Sequence, residues 1–192
     1  MTKLKIASDT TLFRSHDIAN ILVFLFVIGL PYAGAGLFPA SYQAGKLLHL
    51  MGLVWFFGGL IFAAFCASRF VWSQPNLDHD RVAWSFRAIL VLELFCIPSI
   101  ALMAYGGVAM ANQLGGVNSQ AWMFHGYLFL LGTPIILMVI PRFYHKRIIK
   151  DVELDIAKEQ RLALWQDWVF IVLMSALLAA ISGSMVWKTP IF

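Results

Sequence analysis

Two histidines stand inside runs of apolar residues: His49 in "KLLHLMGLVWFFGGLIFAAF" (46–65) and His125 in "AWMFHGYLFLLGTPIILM" (121–138). A neutral imidazole offers one ring nitrogen as a metal ligand while the other donates a hydrogen bond that fixes the ring. Two imidazoles on either side of an iron are the donor set of a b-type haem, whose potential is tuned by its axial ligands and by the surrounding polarity. A bare zinc or copper site asks for three or four ligands. No third His, Cys or carboxylate falls near these two. A further ionisable group, Glu93, sits in "AILVLELFCIPSIALM" (88–103). A carboxyl group in an apolar run is costly in lipid and is a functional candidate by default. It suits either a proton relay or a hydrogen-bonded acid kept neutral by burial.

The elements that must position these groups are membrane helices. Of the 192 residues, 60% are hydrophobic and only 12% charged, against about a quarter charged in an ordinary soluble domain. That balance predicts an all-α integral membrane protein. Five stretches, at about 18–38, 44–68, 84–106, 121–141 and 166–187, are long enough to cross a hydrocarbon core. The first is followed by "AGAG", which resembles a cleavage region, and is counted as a retained helix.

Basic residues set the orientation. All but Lys46 and Lys188 of the 14 Lys and Arg residues fall in the N-terminal tail, the second connection or the fourth. The positive-inside rule then predicts a cytoplasmic N-terminus, five spans and a periplasmic C-terminus. The net charge of +4 is accounted for by this segregation, so it does not point to nucleic acid. The fourth connection, 142–165, mixes charge with Ile149, Val152 and Ile156 at helical spacing, as an amphipathic helix at the cytoplasmic surface would. A docking surface for a partner subunit is the other reading of it. Cys66 and Cys96, both in apolar runs, read as buried thiols rather than as a disulfide.

With these spans, His49 and His125 lie on parallel helices at a shared depth, roughly 6–8 Å below the outer boundary. Around His49 the positions Gly45, Gly52, Phe56, Gly59 and Ala63 follow helical spacings on the histidine's own side, and Gly132 lies seven residues after His125. Such stripes admit a neighbouring helix or leave room for a porphyrin. The expected cofactor site is therefore His49 and His125 as ligands of a haem b iron, with Gly52, Gly59 and Gly132 beside it. Glu93 lies about 10–13 Å deeper, too far for direct coordination. Arg87, two turns closer to the cytoplasm, is placed to reach toward it or toward a lipid phosphate. His16, His79 and His145 fall in or beside charged connections and are expected to be solvated.

The stretch "LLHLMGLVWFFGGLIFAAFCASRFVW" carries His49, Trp55, Gly58 and Arg69, and "DRVAWSFRAILVLELFCIPSIALMAYG" follows it as a helix with a basic start. Together with the fourth helix, over about 44–145, these resemble the small His-containing membrane bundles related to the copper-resistance protein CopD and the haem-binding protoporphyrinogen oxidase HemJ. The resemblance implies a core four-helix bundle holding haem b, with His49 at the family histidine. Here one extra N-terminal helix is added, the spacing from His49 to Arg69 is longer than in the oxidase, and no span contains an internal lysine. The resemblance thus implies haem binding without carrying over the oxidase activity.

The expected function is that of a b-type cytochrome-like protein of the bacterial inner membrane, exchanging electrons with quinone or a periplasmic carrier. Glu93 is its candidate proton relay. Two alternatives stand beside it. One is a haem-free accessory subunit, packed against other membrane subunits or copies of itself. The other is CopD-like copper transport, for which Met51, Met103, Met110 and Met123 lie toward the outer half. No nucleophile triad, phosphate loop or dinucleotide motif is present.

Overall fold

The computed structural model describes residues 10–38, 41–72, 79–150 and 156–188. Five long helices account for nearly all of them: α1 (Thr10–Gly29), α2 (Tyr42–Trp72), α3 (His79–Asn112), α4 (Ala121–Lys150) and α5 (Ile156–Trp187). In lipid each backbone N–H and C=O must be satisfied within the chain, and a continuous helix does this without a partner. Among the described residues, four segments are long and apolar enough to cross a bilayer: Arg14–Tyr32, Tyr42–Ala63, Leu90–Asn112 and Ala121–Val139. In α5 the described apolar stretch is shorter, Val172–Ser184.

Element boundaries depart from the sequence reading at identifiable residues. The first helix begins at Thr10 and gives way to two short 3-10 turns, Leu30–Tyr32 and Ala35–Leu37. Pro31 and the run of Gly34 and Gly36 end the regular helix there. The connection expected at 142–165 is largely taken up by α4, which continues to Lys150, and by α5, which begins at Ile156. Between α3 and α4, Gly115 and Gly116 adopt φ of +97° and +99°, a conformation that side chains with a Cβ rarely take.

Helices α2, α3, α4 and α5 pack as a ring, with α2 meeting α3 and α5, and α4 meeting α3 and α5. Helix α1 lies outside the ring against α3 and α4. This is a four-helix bundle with one additional N-terminal helix. The core is built where α3 is surrounded: Ile97, Ile100 and Ala104 are fully buried, with Phe56 from α2, Val27 from α1 and Leu178 from α5 joining them. Large apolar side chains such as Leu22, Val54, Phe62 and Leu173 are exposed on the outer faces. That inversion is what a lipid solvent permits.

The tightest seam runs between α2 and α3. A Cβ added to Gly52 would stand 2.6 Å from the Met103 amide nitrogen and 2.8 Å from the Ser99 carbonyl oxygen. One added to Gly45 would stand 3.2 Å from the Gly106 oxygen, and one on Gly59 would overlap the Cys96 sulfur. On α3, Gly106 answers the stripe by facing the backbone of Gly45 and His49. Small residues at every second turn thus bring two backbones together. Pro98 removes one amide from α3 beside this seam.

Candidate functional site

His49 occupies the upper end of that seam and is only 8% exposed. Its Nδ1 lies 2.7 Å from the carbonyl oxygen of Met103. A carbonyl can only accept, so Nδ1 carries the proton and Nε2 carries the lone pair of the neutral ring. Gly107 makes room for this arrangement: a Cβ there would meet Nδ1 at 3.1 Å. The Gly106–Gly107 pair therefore does two jobs. One glycine admits the α2 backbone, and the other seats the imidazole.

The ring borders a cavity of about 370 Å³ lined by all four helices of the bundle. Its walls are Leu50 and Leu53 from α2, Val108 and Ala111 from α3, Met123, Gly126, Tyr127 and Leu130 from α4, and Ser182 and Val186 from α5. Leu114 and Val117, from the α3–α4 turn, cover its end. Lys46, one turn before His49 on α2, also lines it, as does Tyr42. The volume lies within the roughly 300–1,000 Å³ typical of small-molecule and cofactor sites, and the mixture of apolar wall and few polar groups is typical too. Around the same end, Tyr105 donates to the Leu37 carbonyl and Tyr127 donates to the Val27 carbonyl at 3.2 Å. These two bonds tie α1 and its following turns to α3 and α4.

The structure does not bring His125 to this cavity. Helix α4 presents Trp122, Met123, Gly126, Tyr127 and Leu130 to it, and His125 is not part of the lining. One residue along a helix is about 100° of rotation, so His125 and Gly126 occupy different faces. Spacing along each helix was legible in the sequence, whereas azimuth was not. Gly52 and Gly59, expected beside a porphyrin, face α3 and are filled by its backbone and by Cys96. Gly132 has open space around it, with nothing within 4 Å of an added Cβ, and it too is outside the cavity lining. Cys96 is a buried free thiol, as expected. Of the methionines considered for copper, Met110 and Met123 line the cavity, while Met103 contributes its carbonyl to His49. Among the described residues no three of His, Cys, Asp and Glu converge.

A second polar cluster lies toward the other end of the bundle. His16, expected to be solvated, is 2% exposed, and its Nε2 stands 3.2 Å from Glu93 Oε2. Asn20, one turn along α1 and 1% exposed, donates from Nδ2 to the His16 carbonyl at 3.0 Å. The packing of α1 against α3 buries what its sequence position beside Arg14 suggested would be wet. The signal was available: His16 and Asn20 are four apart, on one helical face, opposite a carboxyl group that needed a partner. The side chains of Arg87, His79, His145 and Cys66 lie outside the described residues. Comparison with protein-family models, with curated proteins and with solved structures finds no match to this chain.

Proposed function

We propose that this chain is a five-span protein of the bacterial inner membrane, with a cytoplasmic N-terminus, whose cavity near the outer face holds a b-type haem through His49. The observation that carries the reading is the hydrogen bond from His49 Nδ1 to the Met103 carbonyl at the wall of the cavity. It fixes the tautomer and the ring plane that an axial imidazole requires. The residues present fit one axial ligand. A haem bound there supplies one-electron chemistry, for exchange with quinone or a periplasmic carrier. Lys46 brings a cation to the same cavity, suited to a carboxylate on the bound molecule. Apolar side chains from all four helices line the same cavity. The segregation of basic residues supports the orientation, and the resemblance to the CopD- and HemJ-related bundles supports the cofactor class.

The reading makes a specific demand of His125. Because α4 turns other residues toward the cavity, His125→Ala is expected to leave a reduced-minus-oxidised haem spectrum of the purified protein intact. Loss of that spectrum in the variant would restore the paired-histidine arrangement and require α4 to rotate on binding.

A second reading is favoured by a separate observation. The glycine stripe is fully used in seating α3 on α2, so it requires no cofactor to explain it. That supports a haem-free accessory subunit. A colourless protein, still colourless after haem supplementation, with other subunits copurifying, would select it.

A further inference from the structure

We propose that His16 and Glu93 form one proton-binding unit, braced by Asn20, at the end of the bundle opposite the His49 cavity. Glu93 lies ten residues before Met103 on α3, which is about 15 Å of helical rise from the carbonyl that holds His49. The inference does not depend on what the His49 cavity binds.

The geometry brings an acid and a base into contact in a place shielded from water. The side chains of His16 and Glu93 are 3% and 13% exposed, and their nearest atoms are 3.2 Å apart. At that separation the pair is in contact without an aligned hydrogen bond, and Glu93 Oε2 and Asn20 Oδ1 are both buried acceptors with no donor. Buried acceptors left in that state are costly, and each calls for an explanation. For Glu93 Oε2 the missing partner is an aligned donor hydrogen. One proton held between Nε2 and Oε2 supplies it, on whichever atom it resides.

Asn20 limits the ways this can happen. Its amide is oriented by the bond to the His16 carbonyl, and its Nδ2 also stands 3.4 Å from Nδ1 and 3.5 Å from Nε2 of the ring. In the neutral tautomer whose Nδ1 accepts from Asn20, Nε2 carries the hydrogen and stands 3.2 Å from the carboxyl oxygen without an aligned bond to it. The unit then has two states. Without the extra proton it is a neutral imidazole facing a carboxylate, with one negative charge in a membrane segment. Uptake of one proton from water forms an O–H bond on Glu93, or an N–H bond on His16 beside the carboxylate, and leaves the unit with no net charge. Release breaks the same bond and returns the proton to water. No electron is exchanged. Intramembrane carboxyl–histidine pairs of this kind are where proton pathways are built.

Among the residues whose side chains are described, Arg14 and Asp17 on α1 and Cys96 on α3 are the other titratable groups close in sequence to the pair. The thiol and the carboxyl group share one helix face, three residues apart.

Infrared difference spectroscopy of the full chain in lipid nanodiscs, across a pH titration, tests the unit. The expected result is a carboxylic-acid C=O band that grows on acidification, is absent from Glu93→Gln, and is displaced or lost in His16→Gln. A Glu93-dependent band that His16→Gln leaves unmoved would overturn the shared-proton unit, as would the absence of any Glu93-dependent band. Should His16→Gln fail to fold, ring-¹⁵N-labelled histidine read by NMR in Glu93→Gln serves the same purpose. His16 ring resonances displaced from wild type support the coupling, and resonances identical to wild type overturn it. A pair serving only to hold α1 against α3 would give no titrating carboxyl band.

Discussion

His49→Ala in the detergent-purified protein is expected to abolish the reduced-minus-oxidised spectrum of a b-type haem, and His49→Gln to do the same. The reason is local and chemical. Nε2 is the coordinating nitrogen the cavity offers from α2, and its lone pair exists because Nδ1–H is engaged by the Met103 carbonyl. Removing even an outer-shell partner of a ligand costs roughly 10–100-fold in metal affinity, so removing the ligand itself should cost at least that. The variant should nonetheless fold. His49 makes its bond to one backbone carbonyl, and alanine leaves the close approach of Gly45 and Gly106 untouched. A colourless His49→Ala with the wild-type melting temperature would identify ligation. If instead His49→Ala retains the spectrum, the cofactor is held elsewhere and the His49 cavity must be assigned to another occupant, such as a quinone.

How far the sequence could lead is visible in individual residues. The long apolar runs made helices the only economical way to satisfy the backbone in lipid, and the helices are where those runs lie. His49 stood out by its setting in an apolar run, and it lines the cavity from α2. Rotation about the helix axis was not readable. Which face α4 turns inward depends on how Met123, Tyr127 and Leu130 pack against three other helices, and the apolar pattern of a lipid-exposed helix carries little of that information. In water the polar face declares itself. In lipid both faces are apolar, so the pattern did not say that Gly126 rather than His125 borders the cavity.

The same limitation explains the glycines and His16. A small-residue stripe specifies close approach without saying what approaches, and here a helix backbone does so at Gly52 and Gly59. His16 was judged by its neighbours in sequence, Arg14 and Asp17, but its helix carries it to Glu93. A local rule assigned it to water. A long-range contact, between positions separated by most of the first three helices, assigned it to the interior.

Gly106→Ala should be the most damaging of the small substitutions in the bundle, and it should also weaken the site. A Cβ at this position would lie 2.5 Å from the Gly45 oxygen and 3.0 Å from His49 Cα, both backbone atoms that cannot rotate aside. Helix α2 must therefore retreat from α3 as a body. Overpacking of this kind typically costs about 1–3 kcal/mol, measurable as a lowered unfolding midpoint in a denaturing-detergent titration. Gly58→Ala and Gly132→Ala are the matched controls, since nothing lies within 4 Å of either added Cβ. With no clash to offset it, the better helix propensity of alanine should leave them neutral or more stable by up to about 1 kcal/mol. The retreat of α2 also lengthens the contact between His49 Nδ1 and the Met103 carbonyl, now 2.7 Å, and so loosens the ring that offers Nε2. Gly106→Ala should accordingly lower cofactor affinity by roughly 10–100-fold, the range expected when an outer-shell hydrogen bond to a ligand is lost. Equal unfolding midpoints for Gly106→Ala and Gly132→Ala would show that the α2–α3 seam is looser than these distances require, and that the orientation of His49 is not set by it.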